Sequence, residues 1–316
     1  MATMKAVRIH SFGGPEVMHY EDLPRPEPKQ GELLVRVHAA SINPVDWKIR
    51  EGKVPWVSQD MLPIILGRDI SGVVETGTVK ASDGAAGFGP GDAVYAMLAG
   101  SHGGDAEYAI VTAREAAPKP RSLDHVHAAA VPLAGLTAWQ GLFDHGKLKS
   151  GQRVLIQGAA GGVGHFAVQF AKAAGAFVYA TASGDHIARL RELGADEVID
   201  YKNRRFEDVA KDVDLVFDLI GGETQDRSWA VVKPGGMIVS TVAAPSQDRA
   251  SSHRARGTIY RAEPNGRQLA EIGTLIDSGK VEPIVEAVFP LPEAAKAMQA
   301  NQQGHTLGKI VLQVAA

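Results

Sequence analysis

The stretch GAAGGVG, Gly158 to Gly164, stands between a short apolar run, Val154 to Ile156, and a segment whose apolar positions Val163, Phe166, Ala167, Phe170, Ala171 and Ala174 share one helical face. Glycines in that setting permit a tight turn and let backbone N–H groups approach a pyrophosphate. They also let the helix pack close to the strand, with its N-terminal dipole facing the anion. The spacing is one residue longer than the G-x-G-x-x-G form, and Ala160, Gly161, Gly162 and Val163 are the candidate pyrophosphate contacts. A second stretch, ILGRDISG, Ile65 to Gly72, sets Arg68 and Asp69 side by side in an apolar, glycine-punctuated run. Neighbouring strand residues point to opposite faces, so at least one of the two needs another partner. Three readings stand: a metal ligand with its supporting shell, a substrate or cofactor contact, or a structural ion pair at a strand end.

About 20 residues past the glycine loop, an NAD site offers Asp or Glu to the ribose hydroxyls. Here the second strand ends in TASGDH, Thr181 to His186, without an acid at the strand end itself, although Asp185 follows. A missing carboxylate removes repulsion against a 2′-phosphate, and Ser183, His186, Arg189 and Tyr201 are candidate contacts to phosphate or adenine. The expected cofactor is NADPH.

The elements that position these groups fall into two rhythms. Residues 1 to about 120 read as short strands, KAVRI, LLVRVHAASI, DISGVVETG, DAVYAML and AEYAIVT, separated by Pro-, Gly- and Asp-rich segments. In the connector LPRPEPKQGE, alternate prolines remove ladder donors. This pattern predicts an antiparallel barrel or sandwich. From Gly151, strands alternate with helical segments: Val154 to Ile156, Phe177 to Thr181, Glu197 to Asp200, Asp214 to Asp218, Met237 to Thr241 and Thr258 to Arg261. That alternation predicts an α/β doubly wound parallel sheet. A helix to Ser278, a strand in VEPIVEAVFPL, a helix from Pro292 and a last strand KIVLQV exceed what that sheet needs, so the tail is expected to fold back onto the first domain. The expected division is 1–122 with 267–316 for the catalytic domain and 123–266 for the cofactor domain. The segment Pro245 to Gly257 reads as a mobile loop over the cofactor cleft or an exposed connector. Segments GKVPWVSQDML and AGSHGGDAEY are candidate pocket loops.

Composition bounds the rest. The chain has 316 residues, long for one core, and is 45% hydrophobic and 22% charged with net charge −3. No basic run points to nucleic acid as the main partner. No apolar run reaches the roughly 18 residues of a spanning helix, and the N-terminus lacks a signal-peptide core, so the expected location is the cytoplasm. The absence of cysteine excludes disulfides, thiolate metal sites and a cysteine nucleophile, and the eleven histidines show no compact ligand spacing.

Taken in order, AASINPVDWKIREG, LGRDISGVVETG, FGPGDAVYAM, AAVPLAGLTAWQGL, VLIQGAAGGVGHFAVQFAKAAGA, LGADEVIDY, VKPGGMIV and GKIVL make the chain resemble, nearly end to end, the medium-chain dehydrogenase/reductase superfamily. More closely it resembles the zinc-free NADPH:quinone oxidoreductase branch that includes zeta-crystallin. The resemblance implies a GroES-like, mainly β catalytic domain beside a Rossmann domain, and a homodimer joined through the cofactor-domain sheets. Zinc-dependent relatives carry a cysteine where this chain has Asn43, a histidine where it has Arg68 and a further ligand near Ala134. A guanidinium has only donors and an alanine has neither, so these positions cannot ligate zinc.

The resemblance also assigns roles. Asn43 lies beside the nicotinamide ribose and the acceptor, with Asp46 and Trp47 following it. Thr137 lies near the cofactor ribose, Leu219, Ile220, Gly221 and Val242 around the nicotinamide, and Lys309 near the pyrophosphate. Some members carry a tyrosine near Trp47 that has been considered as a proton donor; here Trp47 and Lys48 stand there, and Tyr95 is the nearest alternative by motif. The reaction implied is hydride transfer from NADPH to a small-molecule quinone or enone, with Asn43 and Asp46 orienting and polarising the acceptor. Competing readings are an enoyl-thioester reductase and an NADPH-binding structural or regulatory protein, including RNA contact. Arg68 is expected to form a structural or cleft-facing ion pair, with Asp46 as a partner, and Asp69 a separate one.

Overall fold

A computed structural model of the chain describes residues 2–81, 86–99, 103–304 and 306–315. Residues 100–102 of the segment AGSHGGDAEY lie outside the described residues. The chain forms two compact units, one of residues 1–136, 263–279 and 283–316, the other of residues 137–262 and 280–282.

The first unit opens with β1 (Thr3–Ile9), β2 (Met18–Pro24), β3 (Glu32–Ile42), β4 (Ile64–Ile65), β5 (Asp69–Thr76), β6 (Ala93–Met97), β7 (Tyr108–Thr112) and β8 (Ala116–Pro118). Helix α1 (Pro44–Arg50) follows β3, while α2 (His125–Ala129) and α3 (Pro132–Trp139) follow β8. The prolines after Leu23 leave residues 25–31 without regular structure, as missing ladder donors require. Strand β3 runs eleven residues, with Leu33, Val35, Val37 and Ala39 buried on one face and Leu34, Ala40 and Ile42 on the other, and it pairs antiparallel with β5 and β7. Its core is Val35, Val37, Ile70, Val74, Val94 and Val111.

In the second unit β9 (Arg153–Gln157), β10 (Phe177–Ala182), β11 (Glu197–Asp200), β12 (Val213–Asp218), β13 (Val232–Ser240) and β14 (Arg256–Ile259) alternate with α4 (Gly164–Ala173), α5 (Ile187–Glu192), α6 (Phe206–Val209), α7 (Gly222–Ser228) and α8 (Gln247–Ser252). All six strands are parallel, in the order β11-β10-β9-β12-β13-β14, so the winding reverses between β9 and β12. Two local expectations need correction. The segment Pro245 to Gly257 carries α8, capped by the Ser246 hydroxyl accepting from Arg249 N–H and anchored by buried Ala250. The last strand starts at Arg256 and ends at Ile259, because Met237 to Ser240 pair with Arg256 to Ile259.

The chain returns to the first unit through α9 (Gly266–Asp277), β15 (Val285–Pro290), α10 (Ala294–Gln303) and β16 (Lys309–Gln313). Strand β16 pairs antiparallel with β3, placing Ile310 opposite Ile42, and β15 runs parallel to β16. Ile9, Ile42, Met298 and Ile310 pack together beneath α10. This register brings a residue from the end of the chain, Lys309, to the end of β3.

Candidate active site

In the second unit the site grows from the strand ends at the winding reversal. Gly158 leaves β9 with φ +74°, and a Cβ there would sit 2.9 Å from Ile220. A Cβ on Gly164, the first residue of α4, would stand 2.3 Å from the Gly158 carbonyl oxygen and 2.6 Å from Ala159 Cα, so helix and loop touch as backbone. At Gly161, by contrast, the nearest atom to an added Cβ is 3.6 Å away, so this face of the loop is open. Thr181 on β10 holds the loop's start: its hydroxyl accepts from Gly158 N–H at 3.2 Å and donates to Gln157 Oε1 at 2.8 Å.

Opposite, the end of β12 is organised by Asp218, which is fully buried. Its Oδ1 accepts from Ile220 and Gly221 N–H at 3.1 and 2.9 Å, and its Oδ2 from Gln225 Nε2 and the Ser240 hydroxyl, each at 2.8 Å. Ser240 Oγ in turn accepts from Val242 and Ala243 N–H. The result fixes the loop Leu219 to Gly221 beside Val242 while leaving Ile220 52% and Val242 48% exposed. Two large aliphatic side chains held exposed at the strand ends form an apolar surface that a flat aromatic ring can cover. Asp218 and Ser240 escaped the sequence reading. The signal that could have found them is an apolar strand ending in an acid just before a Gly-Gly pair.

Of the residues expected near the 2′-phosphate, Tyr201 is 55% exposed, and Ser183 and His186 are half-buried. Arg189 is spent on two carboxylates, Glu192 at 2.8 Å and Glu282 at 2.5 Å. Strand β11 supplies an acid that its place on another strand hid: a Cβ on Gly184 would lie 3.4 Å from Asp200 Oδ2. Thr137 is held through its carbonyl, which accepts from the Tyr260 hydroxyl, at the head of one π-helical turn, Gln140–His145. Tyr260 stacks on His145 with ring centroids 4.4 Å apart.

In the first unit Asn43 caps α1, and its backbone N–H donates to Asp46 Oδ2 at 2.7 Å. Its side chain joins three elements. Asn43 Nδ2 donates to Asp69 Oδ2 at 2.8 Å and to the Ser41 carbonyl at 3.3 Å, while Oδ1 accepts from Lys309 Nζ at 2.5 Å. Lys309 Nζ also donates to the Ile42 carbonyl at 2.9 Å and lies 3.8 Å from Asp69 Oδ2. Asp69 further accepts from the Ser41 hydroxyl and from Leu133 N–H. Asn43, Asp46, Asp69 and Lys309 are all at most 4% exposed.

Asp105, the third carboxyl of this neighbourhood, is fully buried and neither of its oxygens has a partner. Gly67, at φ +89°, presses on it so closely that a Cβ there would meet Oδ1 at 2.3 Å. Burial pushes Asp46 up to about 7, the Asn43 N–H opposing and the Asp69 charge adding to the shift. Burial likewise raises Asp105, with the Asp46 and Asp69 charges acting in the same direction, and lowers Lys309 against the pull of Asp69 and Asp46.

The remaining sequence candidates separate. Tyr95 is fully buried and donates its hydroxyl to the Leu269 carbonyl at 2.5 Å, a core position. Trp47 is half-buried, with Lys48 and Lys53 over its ring and its indole N–H buried without an acceptor. The structure brings Lys309 to Asn43 and Asp69 in the first unit. Asp69 has the ion pair expected of it, with Lys309. Arg68 makes no ion pair with Asp46, and its buried Nε has no hydrogen-bond partner.

A family profile described as "Alcohol dehydrogenase GroES-like domain" matches residues 29–121, and one described as "Zinc-binding dehydrogenase" matches residues 193–312. The mitochondrial NAD(P)H oxidoreductase RTN4IP1 of Danio rerio is 35% identical over 90% of this chain and 84% of its own. The chloroplastic NADPH-dependent alkenal/one oxidoreductase of Arabidopsis thaliana is 35% identical over 98% of this chain and 79% of its own. The solved quinone oxidoreductase of Coxiella burnetii superposes with a TM-score of 0.90 at 34% identity, covering 99% of this chain and 100% of that one.

The zinc of the second profile's description does not fit the residues present. Asn43 has its amide oxygen on an ammonium and its nitrogen on a carboxylate and a carbonyl, Arg68 offers only donors, and Ala134 offers nothing. No helix among the described residues is long and apolar enough to cross a membrane. A GroES-like unit, a Rossmann sheet with its glycine loop at the winding reversal, and relatives matched over most of their length agree: the chain belongs to the medium-chain dehydrogenase/reductase superfamily, in its quinone oxidoreductase branch, and is an oxidoreductase that uses a nicotinamide cofactor.

Proposed function

We propose that this enzyme transfers hydride from NADPH to a quinone or an α,β-unsaturated carbonyl compound. The observation that carries the reading is the state of Asn43. Its amide is tied between Lys309 and Asp69, in a position where an alcohol-oxidising relative would need a metal ligand. Electron-poor acceptors need no such help, since the oxyanion they form is delocalised and water protonates it. The names of the Arabidopsis and Coxiella relatives support the acceptor class.

In this reading the unit of residues 137–262 binds the cofactor. The dihydronicotinamide supplies the hydride. Ala160, Gly161, Gly162 and Val163 approach the pyrophosphate, Leu219, Ile220, Gly221 and Val242 cover the nicotinamide ring, and Thr137 approaches the ribose. Asn43 and Asp46 keep their place beside the acceptor as positioning residues, because Asn43 has no uncommitted donor and both are buried. Ser183, His186 and Tyr201 carry the preference for a 2′-phosphate. Two observations favour a second reading, NADH: Arg189 is already paired and Asp200 approaches Gly184.

The test is dihydronicotinamide oxidation with 9,10-phenanthrenequinone and 3-penten-2-one. The expected result is steady turnover with at least one acceptor and a higher kcat/KM for NADPH than for NADH. A reversed cofactor order hands the site to NADH, and binding of either cofactor without turnover of any quinone or enone overturns the hydride-transfer reading.

A further inference from the structure

Arg68 is the cation of its neighbourhood that is left uncommitted, whereas Lys309 is tied to Asn43 and Asp69. Arg68 directly precedes β5 and is half-buried; its backbone carbonyl accepts from Leu98 N–H, which fixes the residue's start. Its Nε is buried with no hydrogen-bond partner, and among the described residues the guanidinium makes no ion pair and no hydrogen bond. A buried donor left unmet within the protein is costly unless a ligand or water meets it.

Carboxylates are not lacking. Asp69, the next residue, gives its oxygens to Ser41, Asn43 and Leu133 and faces Lys309, while Asp46 gives Oδ2 to Asn43 N–H and influences Arg68 only at a distance. Asp105 bonds to nothing. None of these carboxylates consumes the donors of Arg68, and Asp46 feels it only through its charge. A guanidinium in that state is preorganised to meet an oxygen that becomes negative, in the plane where it can donate twice.

We infer that Arg68 receives the acceptor's oxygen: its free N–H groups hydrogen-bond the quinone or enone carbonyl and stabilise the charge that develops there. This rests on the hydride-transfer reading above. The hydride, with its electron pair, forms a new C–H bond on the acceptor. The acceptor's π pair moves onto the oxygen facing Arg68, the cofactor leaves oxidised, and a proton from water then neutralises the oxyanion. Arg68 remains charged throughout.

The experiment compares wild type with Arg68→Met, Arg68→Lys and Arg68→Ala in the full chain. Turnover of phenanthrenequinone and pentenone is measured beside binding of pentafluorophenolate, an unreactive oxyanion, with neutral pentafluoroanisole as control and NADPH affinity as the check on the cofactor site. Arg68→Met is expected to lower kcat/KM about a hundredfold, the size of losing an oxyanion donor. It should also abolish selection of phenolate over anisole while NADPH affinity is unchanged. Arg68→Lys keeps charge without the fork and falls between, and millimolar guanidinium restores part of the activity of Arg68→Ala.

Wild-type turnover and phenolate affinity in Arg68→Met overturn the inference, and so does Arg68→Ala that guanidinium fails to restore. If wild type reduces no quinone or enone, the hydride-transfer reading fails instead, and the phenolate comparison alone still decides whether Arg68 is an oxyanion site.

Discussion

Asp105 is the residue whose chemistry least matches its surroundings. It is fully buried against Gly67, with both oxygens unpartnered, and burial raises it. For a carboxyl raised on folding, the stability contribution is full below its unfolded value and is lost as pH rises through the folded one; Asp46, pushed up to about 7, behaves alike. Replacing Asp105 with Leu should therefore stabilise the first unit by about 1–3 kcal/mol, the cost of an unmet buried polar group. The gain should be larger at pH 8 than at pH 6, read from urea midpoints; an equal or reversed pH trend would show that Asp105 is ionised throughout. Asn43→Ala has the opposite sign: it leaves Lys309 and Asp69 without their common partner, so a loss of about 1–3 kcal/mol should accompany a lowered kcat, with cofactor affinity retained. Little of this was legible in sequence. Asn43, Asp46 and Asp69 announce themselves by motif, but what Lys309 touches depends on β16 aligning with β3 across more than 260 positions of chain. Asp105 sits in a segment that reads as an ordinary polar loop, and its burial depends on Gly67, Leu66 and Val7 meeting it across the chain.

At the scale of elements, the strand–loop–helix unit around GAAGGVG was legible because each glycine answers a local need, and the packing around each one separates those needs. Gly161→Ala should leave thermal stability unchanged, since an added Cβ meets only ordinary contact, yet weaken binding of the nicotinamide cofactor by crowding the open face of the loop. Gly164→Ala forces a Cβ into the Gly158 carbonyl and should destabilise the second unit itself. Equal effects of the two on stability and binding would refute this division of roles. Helix α8 was not legible, because polar, basic Pro245 to Gly257 has one buried anchor, Ala250, and no apolar stripe.

Another element, α2, carries an acid-sensitive contact. His125 stacks on His38 with centroids 4.4 Å apart, and its Nδ1 shares a hydrogen bond of 2.8 Å with Ser71 Oγ. Burial pushes His125 down to about 4, with the His38 charge adding to it. The unfolded chain takes up the proton first, so this contribution is full above about pH 6.5 and is lost as pH falls toward 4. His125→Gln should remove about 1–2 kcal/mol of acid loss, a value reduced for half-exposure. An unchanged midpoint shift between pH 7 and pH 5 would count against it.

For the whole molecule, the remaining question is what covers the β14 edge of the parallel sheet. Strand β14 ends the strand order, no described strand lies beyond it, and Ile259 stands 46% exposed upon it. Edge strands with exposed aliphatic residues invite pairing with another chain, and most proteins blunt them with charge or proline. Arg256 supplies charge at the start of β14, but its last residue is bare isoleucine. A second copy presenting the same edge would continue the sheet by a two-fold operation, the commonest closed symmetry. The net charge of −3 is too small to keep two copies apart at physiological salt. The protein should therefore sediment at twice the 33.4 kDa of one chain. Ile259→Lys, which places a charge on the edge, should sediment as a single chain. A wild-type protein that sediments at 33.4 kDa across micromolar concentrations, or an Ile259→Lys variant that remains dimeric, would place the dimer contact elsewhere or remove it.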